Sequence, residues 1–146
     1  MKPIILAAAL LTCTITLAED PPLPLYPVEV SRVIDGDTIK ATIQLGFSIT
    51  IANRSIRLQG FDAWETSKRR KTVNVTDEEI AKGKLASKAL KELLDEHTGR
   101  IYLKPAKKSE SVYGRLAGYL HIYPEMGDPI DIAEFMTANG FTRNPE

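Results

Sequence analysis

Ser31-Arg32-Val33-Ile34-Asp35-Gly36-Asp37-Thr38-Ile39-Lys40 is the stretch whose reading decides the fold. Two apolar runs meet in it at an Asp-Gly pair, the dipeptide that most strongly signals a tight hairpin between strands. Beyond the turn the chain alternates. Ile39, Ala41, Ile43 and Leu45 share one face of a strand, and Lys40, Thr42 and Gln44 share the other. Asp37 has the parity of the apolar row. A carboxylate heading a core-facing row is costly unless a hydroxyl, an arginine or a metal ion compensates it. The stretch therefore predicts a β-hairpin with a polar site at its turn.

On the N-terminal side, Val28–Ile34 reads as the first strand. Glu19 to Pro27 holds four prolines and reads as an extended tether. Residues 1–18 read as a secretory signal: Lys2 as a basic start, Ile4 to Ile15 as an apolar run too short to span a bilayer, and Thr16-Leu17-Ala18 as a cleavage site. The competing readings are a buried N-terminal element and lipid attachment at Cys13. Cleavage after Ala18 would remove the only cysteine and leave no disulfide.

On the C-terminal side, a strand from about Asp37 to Leu45 ends at the break marked by Gly46. Phe47 to Phe61 is extended, either as one bent strand or as two pieces split near Asn53-Arg54, with a bulge or bend at Gly60. Thr76-Asp77-Glu78-Glu79 is a capping-box signature. The helix it starts carries an apolar stripe at Ala81, Leu85, Ala89 and Leu93, widened by Leu90 and Leu94, and stops near His97 and Gly99. Arg100–Lys104 reads as a fourth strand closed by Pro105, Ala106–Gly114 as a polar hairpin loop, and Arg115–Tyr123 as a fifth strand. Asp131 with Glu134 caps a short helix bearing Ile132, Phe135 and Met136, ended by Gly140. The expected fold is one mainly-β α+β domain over residues 28–146: a five-stranded OB-type barrel, with a long helix between strands three and four and a short C-terminal helix.

The chain has 146 residues, enough for one domain with a real core, and 43% of them are apolar. Its 19 basic and 19 acidic residues cancel, so a nucleic-acid partner has to be held locally rather than by a global basic excess. With two histidines and one cysteine, a zinc or thiolate centre is disfavoured. There is no phosphate-binding glycine loop and no Gly-x-Ser-x-Gly elbow.

Asp37, Asp62 and Glu65 are oxygen-only donors suited to calcium or magnesium. The same residues also fit ordinary turn chemistry, with Asp35-Gly36-Asp37 making a hairpin and Asp62 ending a strand. Arg57 and Arg115 lie in apolar runs. Each is either a bidentate phosphate fork or a barrel-edge arginine paired with an acid. By strict alternation Arg57 and Asp62 face opposite ways, so they share a site only if the chain bends between them, and Gly60 is the place for that. Trp64 and Tyr113 are either base-stacking platforms or packing residues. Lys68-Arg69-Arg70-Lys71 either tracks a phosphate backbone or is a solvated loop.

Val33-Ile34-Asp35-Gly36-Asp37-Thr38, Arg57-Leu58 leading to Asp62-Ala63-Trp64-Glu65, and Tyr113-Gly114-Arg115 together resemble the staphylococcal (micrococcal) nuclease, or thermonuclease, family, in order from about Val28 to Phe141. The resemblance implies an OB-fold barrel that hydrolyses DNA and RNA phosphodiesters with calcium. By position it implies that Asp37, Asp62 and the Ala63 backbone carbonyl hold Ca2+, and that Glu65 positions or deprotonates the attacking water. It implies also that Arg57 and Arg115 hold the phosphate and that Tyr113 contacts it. Ala63 stands where the family usually has threonine, and Trp64 where it usually has proline. The segment from Thr38 to Arg57 is longer than in the type protein, and the chain ends short of the family's last helix. The expectation is a secreted or periplasmic, monomeric nuclease acting on DNA or RNA, with no stable membrane association after signal cleavage. The rivals are an OB module that binds nucleic acid or protein without cutting and, more remotely, an oligosaccharide-binding domain.

Overall fold

The computed structural model describes residues 24–68, 75–110 and 114–143, with side chains left out at 107–110. The Asp-Gly stretch does form a hairpin. β1 (Tyr26–Asp35) pairs antiparallel with β2 (Thr38–Gly46), and Asp35 faces Thr38 across a Gly36-Asp37 turn. Gly36 is not at positive φ. A Cβ there would lie 2.6 Å from the Ala63 Cβ and 3.0 Å from the Ala86 Cβ, so glycine is required by close packing under the turn. The apolar row is buried through Ile39, Ala41 and Ile43, and Asp37 is buried at its head with 4% exposure; Leu45, where the hairpin leaves the barrel, is exposed.

β3 (Ile49–Leu58) is one bent strand rather than two. The β2–β3 register slips between the Ala41–Arg54 and Ile43–Ile51 pairs, and Asn53 sits at φ 54 in the extra residue. That is a β-bulge, and it accounts for the break expected near Asn53-Arg54. β4 (Ile101–Glu110) and β5 (Leu116–Ile122) complete the barrel. β1 pairs with β4, β4 with β5, and β5 runs parallel to β3 and closes the cylinder. The result is a closed five-stranded mixed barrel of OB-like topology, with the two-residue β6 (Ile130–Asp131) added to β5.

Two boundaries differ from expectation. β1 starts at Tyr26, so the last two residues of the expected tether belong to the barrel, where Tyr26 and Pro27 pair with Leu103 and Tyr102. Proline is tolerated at the start of a strand. Pro105 does not end β4. It pairs with Gly118, and the ladder slips directly after it, where a missing N–H costs least.

α1 (Asp77–Glu96) has the expected capping box, with Thr76 and Glu79 each accepting the other's backbone N–H. Its buried face is rotated from the expected stripe. Gly83, Ala86, Leu90, Leu93 and Leu94 are buried, while Leu85 is 59% exposed and Ala81 faces out. The small residues Gly83 and Ala86 bring the helix close to the chain around Gly36 and Ala63–Glu65. α2 (Ile132–Ala138) is capped by Asp131 and buries Ile132 and Met136 against the barrel end.

Candidate functional site

The turn, the end of β3, the loop after it, the start of β5 and the segment after α2 converge on one cavity of about 280 Å³. Four acids line it, Asp35, Asp37, Asp62 and Glu65. So do three arginines, Arg57, Arg115 and Arg143, together with Ala63 and Trp64. Six of the seven residues expected at a site are thus brought together. The seventh, Tyr113, lies outside the described residues, as do residues 69–71 of the basic run and the whole N-terminal signal with Cys13. Lys68, which opens that run, pairs with the exposed Asp77.

Asp37 is the buried acid of the cavity. Its Oδ1 accepts from Arg57 at 2.9 Å and from the Thr38 hydroxyl at 3.0 Å, and its Oδ2 accepts from the Ala63 N–H at 3.1 Å. Burial pushes its carboxyl up from the usual 3.8 to about 6, with Asp35 adding to the rise. Arg57 and the Ala63 N–H pull the other way and do not win. Asp35 also accepts the Asp37 N–H at 3.3 Å, which places its charge beside the buried one.

Arg57 spans two carboxylates. Nη1 binds Asp37 and Nη2 binds the Asp62 Oδ1. The parity conflict between Arg57 and Asp62 is resolved at Gly60, whose φ of 94° turns the chain back on itself. The loop that follows is pinned on two sides. The Arg143 N–H donates to the Asp62 carbonyl at 2.7 Å, and Ala63 bridges Thr142. Underneath, α1 meets the backbone at Trp64 and Glu65, and Lys82 holds its ammonium 5.0 Å from the centre of the Trp64 ring, a cation–π contact. Trp64 and Glu65 line the main cavity on one side and a smaller one, with Val75 and Glu79, on the other.

Gly83 is the seat of this loop. A Cβ there would stand 2.3 Å from the Glu65 carbonyl oxygen and 2.6 Å from that of Trp64. In an exposed helix Gly→Ala gains about 1 kcal/mol. Here Gly83→Ala should instead destabilise the protein by roughly 1–3 kcal/mol, because helix and loop must separate. A urea midpoint unchanged or raised in the variant would show that the loop does not rest on α1.

The donor set fits a hard divalent cation: it is all oxygen, and it includes a buried carboxylate whose Oδ2 accepts one hydrogen bond and keeps a lone pair. Among the described residues no three of His, Cys, Asp and Glu are grouped to hold an ion by side chains alone. A cation here would need Asp37, Asp62 and a backbone oxygen, for which the resemblance names the Ala63 carbonyl. Two lining residues were missed in the sequence. Asp35 reads in the sequence as a turn residue, although it shares the parity of Asp37. Arg143 carries no local signal, since only the Ala63–Thr142 bridge brings it to the site. Comparison with protein-family models and with curated proteins finds no match to this chain.

Proposed function

We propose that this protein is a calcium-dependent nuclease of the thermonuclease type, exported from the cytoplasm, that hydrolyses phosphodiesters of nucleic acid, DNA or RNA. The observation that carries the reading is the Arg57 fork spanning Asp37 and Asp62 in a cavity shared with Glu65 and two more arginines. Four carboxylates against three guanidinium groups leave the cavity one negative charge in excess, which by itself would repel a phosphodiester anion. Calcium held by Asp37, Asp62 and the Ala63 carbonyl would reverse that sign and polarise the phosphoryl group. Arg57 and Arg115 then supply paired N–H donors to the non-bridging oxygens, where negative charge grows in the transition state. Glu65 takes the proton of the attacking water, and its replacement by Gln should lower turnover at least about 10²-fold with the fold intact.

The test is incubation of the purified protein with single-stranded DNA, with calcium or with EGTA, followed by measurement of chain length. Shortening that requires calcium is expected. Equal shortening in EGTA would remove the cation from the reaction. Intact DNA in the presence of folded protein and calcium would replace the nuclease with a non-cutting OB module.

A further inference from the structure

Arg143 is the cation of the cavity that the reading above leaves without a task. Arg57, which bridges Asp37 and Asp62, and Arg115 are already assigned to the scissile phosphate. The Arg143 guanidinium, among the described residues, makes no hydrogen bond or ion pair, and yet its backbone is fixed. Its N–H is held by the Asp62 carbonyl at 2.7 Å, Thr142 bridges Ala63, and the Phe141 N–H is held by the Met136 carbonyl at 2.9 Å. An arginine on an anchored backbone, beside carboxylates it does not pair with, keeps its donors available for a ligand anion.

Its place differs from that of the other two arginines. Arg143 lines both the main cavity and the smaller one behind Trp64 and Glu65, whereas Arg57 and Arg115 line the main cavity and not the smaller one. A phosphodiester has two non-bridging oxygens, and the forks of Arg57 and Arg115 suffice for them. We infer that Arg143 binds the phosphate next to the scissile one, so that the site selects a nucleic-acid strand over a single dinucleotide. This rests on the nuclease reading.

The consequence is a split in kinetics. Arg143→Gln should raise KM for a single-stranded oligonucleotide about tenfold, the loss of one partly exposed charge-assisted contact, with kcat little changed. It should affect hydrolysis of a dinucleoside monophosphate far less, since that substrate has no second phosphate. Losing one phosphate contact should also lower the slope of log(kcat/KM) against log salt by about 0.7. Arg143→Lys should keep the salt slope and recover only part of the KM, because a point charge replaces a fork.

The experiment measures both substrates over a salt series for the full chain and the two variants, with urea unfolding as the check on folding. An oligonucleotide KM and a salt slope unchanged in folded Arg143→Gln, with the wild type still cutting, would overturn this inference alone and leave Arg143 as a balance for the cavity's acids. Equal losses on the oligonucleotide and the dinucleotide would overturn it as well, placing Arg143 at the scissile phosphate. A folded wild type that cuts neither substrate would overturn both readings.

Discussion

Arg57→Ala should reduce cleavage roughly 10³-fold, the range seen when a donor aimed at developing phosphoryl or oxyanion charge is removed. Arg57 holds Asp37 and Asp62 together, with Nη1 on one and Nη2 on the other, and under the proposed function it also holds the phosphate. Without it, two carboxylates face one another with Asp35 close by and no guanidinium between them. At about 4 Å and an effective dielectric near 20, two like charges repel by roughly 4 kcal/mol, an upper scale that solvent reduces at the half-exposed Asp62. Arg57→Lys separates the two roles. An ammonium can neutralise one carboxylate but cannot reach both in the fixed fork geometry, and it cannot hold a phosphate bidentately. The lysine variant should therefore recover much of the stability lost in Arg57→Ala and little of the activity. Cleavage rates and urea midpoints for the two variants decide it. Recovery of activity by lysine in step with stability would mean that Arg57 serves only to hold the acids together.

The sequence exposed the centre of this site and hid its margins, for physical reasons visible in individual residues. Asp37 was legible because strand parity is strict: a residue two before Ile39 on a core-facing row is buried wherever the row is. The Arg57–Asp62 contact was legible as a conflict that only a bend could resolve, and Gly60 supplies that bend. The α1 stripe misled because hydropathy ranks Leu85 above Gly83, whereas the packing selects by size. The backbone of Trp64–Glu65 approaches too closely for any side chain at position 83. Pro105 misled because a proline excludes one ladder bond and not a strand, and here the ladder slips immediately beyond it. Arg143 was invisible because its position follows from a tertiary bridge to Ala63, which no local pattern encodes.

Asp37→Asn should flatten the dependence of stability on pH and abolish calcium-dependent cleavage. The sign follows from the raised carboxyl. With an ordinary value of 3.8 in the unfolded chain and about 6 in the folded one, the native state binds more protons than the unfolded state between those values. Stability from this group is complete below about pH 4 and falls as pH rises through 6. By pH 7 the loss is about 3 kcal/mol, the burden of keeping a carboxylate charged at a buried position. Asparagine removes the titration. It also sets its amide nitrogen against a donor, either the Arg57 guanidinium or the Ala63 N–H, which offsets about 1–2 kcal/mol of the gain. In the absence of calcium the variant should thus be more stable than wild type at pH 7 by about 1 kcal/mol and less stable at pH 4, with the crossing inside the window from 4 to 6. Calcium should reverse the order at pH 7, because a cation that binds only the native site stabilises in proportion to its occupancy, and the site in the variant has lost a carboxylate. Thermal unfolding of both proteins at pH 4 and 7, with calcium and with EGTA, reads all of this. Parallel pH profiles for wild type and variant would mean that Asp37 is not the buried charge that costs the fold its stability. An equal calcium shift in both would move the cation away from Asp37 altogether.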